Sequence, residues 1–252
     1  MATSGQAVQH FLDSRELVLI GRGGRGSVYA NPTYPSRVAK VARRYDTCRG
    51  WYQEYELVRS LEAQLDALSP LPLARLIRFL DYHQGQGEQE HCAILMERVL
   101  PPISQGPTWQ AYLNLQDENK WVEGRGLYLG RDQLVRYLPH SYTLYDLVFD
   151  LGALVARLHY VCKVDATDVE YVFGHMADAP LYNQLFALDF DLCQRYDTPD
   201  VKTLSWSLSS EEYFPQPSGD PHLWIMFREA YVSTAALFGA RDTALAVMDS
   251  LV

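Results

Sequence analysis

No uninterrupted apolar run approaches the roughly 20 residues needed to cross a bilayer. The N-terminal MATSGQAVQHF lacks both the basic n-region and the apolar h-region of a secretory leader. These absences predict a soluble, intracellular, cytoplasmic protein with no membrane partner. Cysteine is scarce: Cys48, Cys92, Cys162 and Cys193 are widely scattered with no C-x-x-C pair. That spacing argues against a zinc site and against a disulfide framework, and predicts buried free thiols. Internal repeats and low-complexity tracts are missing too. With 252 residues, 48% of them hydrophobic, the chain has enough apolar material for a sizeable core and does not read as disordered.

Basic charge is in short supply. The 22 Lys and Arg against 31 Asp and Glu leave a net charge of −9, which excludes indiscriminate binding to nucleic acid and gives no reason to expect DNA as a partner. The deficit is uneven. Residues 1–60 hold nine basic and five acidic residues, a balance of +4, whereas the other 192 hold thirteen and twenty-six, a balance of −13. A basic face for a polyanion on an otherwise acidic protein has this distribution, and so does an ordinary solvated surface.

What is present begins with LIGRGGRGSVYA, residues 19–30, followed by RVAKVAR. Gly21, Gly23, Gly26 and Val28 satisfy G-x-G-x-x-G-x-V, the pattern of a loop that covers nucleotide phosphates, and Lys40 ends a V-A-K triplet. Short strands are predicted at Leu17–Ile20, Ser27–Ala30 and Arg37–Ala42. A helix is predicted from Arg49 to Leu68, with Trp51, Tyr55, Val58, Leu61 and Leu65 on one face and Glu54 or Glu56 on the other. Apolar stretches at Leu76–Asp81 and Ala93–Met96, around the polar tip HQGQGEQE, read as a hairpin. Pro101 and Pro102 then break the chain. Residues 103–120 read as polar and loop-like or partly helical, and Gly126–Leu129 as β-like. The stripe Leu144, Leu147, Leu151, Leu154, Val155 and Leu158 marks a long helix with Thr143 as its N-cap. LFALDFDLC reads as a strand, and HLWIMFREAYVSTAALF as a closing helix. The aromatics Trp51, Tyr55, Trp224 and Phe227 are expected in the core.

Glycine loop, lysine, helix with glutamate, hinge, long helix, aspartate loop and Asp-Phe-x follow one another as in kinase-like enzymes. The expected fold is α+β, a degenerate two-lobed protein-kinase-like arrangement. Residues 1–98 would form an N-lobe, mainly β with one helix, and 99–252 a C-lobe, mainly α. Glycines let backbone amides approach phosphate oxygens, Lys40 supplies a point charge, and Glu54 can fix that charge. Asp165 falls where a kinase places its catalytic aspartate and Asp189 where it places a metal-binding one. The departures are as specific as the matches. Lys163-Val164-Asp165 stands in place of H-R-D, Glu170 in place of the asparagine, and Asp191 in place of the glycine of D-F-G. Ordinary protein-kinase activity is therefore not expected. Any one of Asp165, Asp168, Glu170, Asp189 and Asp191 taken singly could equally cap a loop or face water. His159 and His175 have no partner at metal spacing and receive no role.

IGRGGRGSVY, MERVLPP, LYLGR, KVDATDVEYV, ALDFDLC, YFPQP and LWIMFREAYV together resemble a fungal family of small kinase-like proteins. That family was long catalogued as a domain of unknown function under a misleading zinc-finger label. The resemblance spans nearly the whole chain, and its most specific part is VDATDVEYV paired with LDFDLC. It implies an arginine-containing cyclodipeptide synthase, which takes aminoacyl-tRNA, arginyl-tRNA included, and needs no cofactor, no metal and no obligate protein partner. An aminoacyl ester is already activated, so the chemistry requires a base for an α-amine and an acidic pocket for a guanidinium. Under this reading Asp165 is the base or amine anchor, with Lys40 and Asp189 also catalytic. Glu54, Asp168, Glu170, Asp191, Gly21, Gly23 and Gly26 hold substrate. The basic excess, Arg22, Arg25, Arg43 and Arg44 foremost, meets tRNA phosphates. The alternatives are a small-molecule phosphotransferase using Mg-ATP, and a pseudokinase-like binding protein without chemistry.

Overall fold

The computed structural model describes residues 5–14, 16–42, 48–85, 91–102, 111–115, 120–122, 126–210 and 213–252. The chain opens with helix α1 (Gln6–Leu12), strands β1 (Val18–Arg22), β2 (Gly26–Ala30) and β3 (Arg37–Ala42), and helix α2 (Cys48–Asp66). Strands β4 (Ala74–Leu76), β5 (Phe79–His83) and β6 (Ala93–Glu97) follow. Five of these strands form one sheet in the order β1-β2-β3-β6-β5. Side chains alternate across it, as the period of two requires. Val38, Ala42, Ile94 and Met96 join the main core, whereas Ala39 and Leu95 pack on the opposite face against Val8 and Phe11 of α1. Lys40 therefore shares a face with Val38 and Ala42.

The early helix α1 was not expected, because seven residues are too few for a convincing period. Its start is held by Asp81, whose carboxylate accepts from the amides of Gly5, Ala7 and Val8 at 2.9, 3.1 and 3.3 Å. The stretch read as one strand over Leu76–Asp81 is split between β4 and β5. They belong to different sheets, since β4 runs parallel to a strand near residue 185.

Beyond Glu97 come β7 (Val99–Leu100), β8 (Ala111–Leu113), β9 (Lys120–Val122), β10 (Gly126–Leu129) and α3 (Arg131–Tyr137). Then follow α4 (Leu144–Tyr160), β11 (Glu170–Met176), β12 (Gln184–Leu188), α5 (Val201–Ser209), α6 (Pro221–Leu237) and α7 (Arg241–Asp249). Among the described residues, a second sheet runs β4-β12-β11-β8-β10-β9, with β7 paired to β11. The molecule is thus mixed α+β, and the part after residue 98 carries most of a sheet as well as helices. Strand β8 lies in the segment read as loop or helix. Ala111, Tyr112 and Leu113 are all buried, so it packs on both faces and shows no alternation to read.

Helix α4 is capped as expected. Thr143 accepts from the Asp146 amide while the Asp146 carboxylate accepts from the Thr143 amide, a reciprocal capping box. Its Gly152 lies against α6, where a β-carbon would come within 2.7 Å of the Phe227 carbonyl oxygen. The two helices can approach that closely only because no side chain intervenes. Helix α6 begins with Asp220 as N-cap and Pro221 in its first turn.

Candidate functional site

Helix α2 buries Trp51, Glu54, Val58 and Leu61, spaced by three and four. Glu54 is therefore on the apolar face with Trp51 rather than opposite it, and Glu56 is the exposed one. Its charge is matched by Lys40. The Lys40 Nζ lies 3.2 Å from both Glu54 carboxylate oxygens and 2.6 Å from Asp189 Oδ1. It also stands 5.2 Å from the Trp51 ring centre, within cation–π range. Burial works against the ammonium, but Glu54 and Asp189 together hold its pKa above the ordinary lysine value. Burial likewise pushes the Glu54 carboxyl up, against the pull of Lys40.

The β11–β12 hairpin pairs Glu170 with Leu188, so Asp189 emerges beside Glu170. The strand predicted over residues 185–193 ends at Leu188, and Asp189 turns into the left-handed region at φ 62°. Such a backbone is unusual for a residue other than glycine and often marks a functional position. Glu170 accepts a hydrogen bond from the Tyr112 hydroxyl at 3.3 Å. Burial first, and the Asp189 charge next, push its carboxyl up to about 7. Tyr112 is a partner that sequence reading missed, because β8 was not recognised. It reaches Glu170 because Val172 of β11 pairs with Tyr112.

Asp165 is buried, and its Oδ1 accepts from the amides of Thr167 at 3.2 Å and Gln194 at 3.0 Å. Asp168 sits in the same loop in the left-handed region at φ 61°. Cys193 adjoins this loop, its thiol donating to the Thr167 carbonyl oxygen at 3.4 Å. Burial, and then Asp165, Asp191, Glu54 and Asp168, raise its thiol pKa. Asp191 is held by Arg25 of the glycine turn, 2.5 Å away. Among the described residues, no group of three or more His, Cys, Asp or Glu side chains is arranged to hold a metal ion.

The glycines divide into two kinds. A β-carbon on Gly26 would come within 2.5 Å of the Trp51 ring, so this glycine is needed for packing over α2. A β-carbon on Gly23 would meet no atom within 4 Å, and one on Gly21 would meet only Val28, at 3.6 Å. Beneath this turn is a small apolar cleft, partly open to solvent. Ile20, Val28, Val38 and Met96 line it from the first sheet, and Val172 and Leu188 from the second. Of these, only Val28 was singled out in the sequence, as the last position of the glycine pattern; the others resemble ordinary core positions.

The remaining expected positions are less clustered. Arg22 and Arg25 are exposed on the turn, whereas Arg43 and Arg44 lie outside the described residues. The expectation of four free thiols fails. Cys48 and Cys92 form a disulfide with Cα atoms 5.6 Å apart, joining the start of α2 to the strand edge at β6, while Cys162 and Cys193 are free. A separation of 44 residues gives no hint of this pairing, which follows from α2 packing across the sheet. Among the described residues no helix is long and apolar enough to cross a membrane. No protein-family model matches the chain, and no curated protein matches it.

Proposed function

We propose that this is a degenerate two-lobed protein-kinase-like enzyme that builds an arginine-containing cyclodipeptide from aminoacyl-tRNA, with arginyl-tRNA among its substrates. The observation that supports this most is Glu170, a carboxyl with a pKa of about 7 beside Asp189 and Tyr112. Such a group is matched to taking a proton from an α-ammonium near neutral pH. Asp165, tied through Oδ1 to two backbone amides, suits a fixed charge that anchors the amine better than it suits a base. The freed amine of one aminoacyl ester attacks the carbonyl carbon of the other. A C–N bond forms, the ester C–O bond breaks, and the departing tRNA 3′-oxygen takes the proton. Repetition within the dipeptidyl ester closes the ring and releases the second tRNA. Arg22, Arg25 and Lys40 supply cations for the acceptor-end phosphates, and Asp189 and Asp191 supply carboxylates for a guanidinium. Each carboxylate already holds a cation of the protein, Lys40 or Arg25. Purified protein given charged arginyl-tRNA and a second charged tRNA should yield an arginine diketopiperazine by mass spectrometry. Absence of product with every charged tRNA pairing would overturn the proposal.

The apolar cleft favours a second reading, a phosphotransferase using Mg-ATP. Its walls would take a flat ring, and Asp189 and Glu170 would supply oxygen ligands for the magnesium. A true nucleotide site at a hundredfold excess over Kd adds about 2.7 kcal/mol of stability. A clear rise in melting temperature with Mg-ATP, and no product from charged tRNA, would select this reading.

A further inference from the structure

His159, near the end of α4, is fully buried. Its Nε2 lies 3.2 Å from the carbonyl oxygen of Asp165 and its Nδ1 lies 2.7 Å from the Tyr231 hydroxyl. A carbonyl oxygen only accepts, so the ring proton belongs on Nε2. Nδ1 must then accept from Tyr231, whose own oxygen accepts from the Tyr160 hydroxyl at 2.9 Å. The donors therefore run one way, from Tyr160 through Tyr231 and His159 to the Asp165 backbone. Burial keeps the imidazole neutral, with its pKa down at about 3.

The loop that receives this chain is strained. Lys163, Ala166 and Asp168 are all left-handed, at φ 54°, 53° and 61°, although none is glycine. Conformations of this kind persist only where surrounding contacts over-determine them. Here Val164 donates to Leu158 at 3.1 Å, Asp165 to Gln194 at 3.0 Å, and Tyr196 to Lys163 at 3.0 Å through their amides. These backbone bonds tie the loop to α4 and to the segment near residue 195. His159 is the side chain that grips it at Asp165 itself, and the Tyr196 hydroxyl in turn holds the His159 carbonyl.

We propose that His159, held as the neutral Nε2–H tautomer by the Asp165 carbonyl and oriented by Tyr231, is a positioning residue that locks residues 163–168 and so aims the Asp165 carboxylate. The inference rests on the assignment of Asp165 as amine anchor. Its structural half, the tautomer and the loop, can be measured without any activity.

The test uses the full chain labelled with ¹⁵N-histidine, the His159 signals being assigned with His159→Gln. The expected result at pH 7 is a neutral ring protonated on Nε2, retained in Tyr231→Phe because the Asp165 carbonyl still requires that proton. Kinetically, His159→Leu should lower kcat at least about tenfold while KM for arginyl-tRNA stays within about twofold, as misplacement of a reacting group does. His159→Gln, whose amide can donate to the same carbonyl, should recover most of that loss. Tyr231→Phe removes one hydroxyl only and carries the kinetic test if the leucine variant does not fold, with an expected fall of about threefold or more. An Nδ1-protonated or charged ring, or unchanged kcat in both His159→Leu and Tyr231→Phe, overturns the proposal. Full activity in Asp165→Asn instead removes the anchor role on which it rests, and a normal tautomer in that variant shows which half has failed.

Discussion

The ammonium of Lys40 and the carboxylate of Asp189, 149 residues apart in sequence, are joined across the two sheets by a contact of 2.6 Å. The same ammonium neutralises Glu54, whose side chain is completely buried. One cation thus serves two carboxylates, and removing it leaves a charge with no access to water. Lys40→Met keeps the aliphatic stem over Trp51 and removes only the charge. It should destabilise the fold by about 3 kcal/mol, toward the lower end expected for breaking a buried pair because Asp189 is 35% exposed. Lys40→Met combined with Glu54→Gln should regain most of that loss in urea unfolding. A loss of less than about 1 kcal/mol in the single variant would show that the pair contributes little to stability.

The two kinds of glycine predict opposite results. Gly26→Ala forces a methyl into the Trp51 ring, closer than 3 Å, and should cost about 1–3 kcal/mol through overpacking. Gly23→Ala meets no atom and should leave the melting temperature unchanged within about a degree. If Gly23 faces bound substrate, its alanine variant should show a raised KM at unaltered stability. Equal melting temperatures for the two variants would contradict the packing role of Gly26.

The Cys48–Cys92 bond closes a long loop that includes all of α2, so it restricts the unfolded chain. Cys48→Ser with Cys92→Ser should lower stability by about 2–4 kcal/mol and abolish any effect of a dithiol reductant on the melting temperature. The wild type should lose a similar amount under reductant. Insensitivity of the wild type would show that the two cysteines are not bonded in solution.

Much of this site was legible because its parts are local. The glycine turn, Lys40 on a short strand, the stripe of α4 and the Thr143 cap each follow from spacing over a few residues. Glu54 was seen, but its face was misread. Its pairing with Lys40, 14 residues earlier, was expected, but a glutamate is ordinarily placed facing outward, and only the folded contact shows that this one is buried beside Trp51. Tyr112, the cleft-lining residues other than Val28 and the Cys48–Cys92 bond were missed for one shared reason. Each depends on strand neighbours distant in sequence, and a strand buried on both faces such as β8 shows no period. The split of 76–81 between β4 and β5 likewise reflects a partner, β12, more than a hundred residues on.

Glu170 provides a test in which stability and activity should move in opposite directions with pH. Its carboxyl titrates at about 7 in the folded protein against an ordinary value of 4.5, so the folded state binds the proton more tightly than the unfolded one. Stability should therefore fall as pH rises from about 4.5 to about 7, and stay at the lower level above that. Glu170→Gln keeps an oxygen for the Tyr112 hydroxyl but cannot ionise. It should match the wild type near pH 4 and exceed it by about 1–3 kcal/mol at pH 8. Cyclodipeptide formation should do the reverse. A base with this pKa must be ionised to act, so the wild-type rate should climb about tenfold per pH unit below 7 and then level off. The glutamine variant should lose at least about a hundredfold in kcat, with the climb abolished. A stability difference that does not change between pH 4 and pH 8 would show that Glu170 is already ionised in the folded protein. A full rate in the glutamine variant would move the base elsewhere in the cluster.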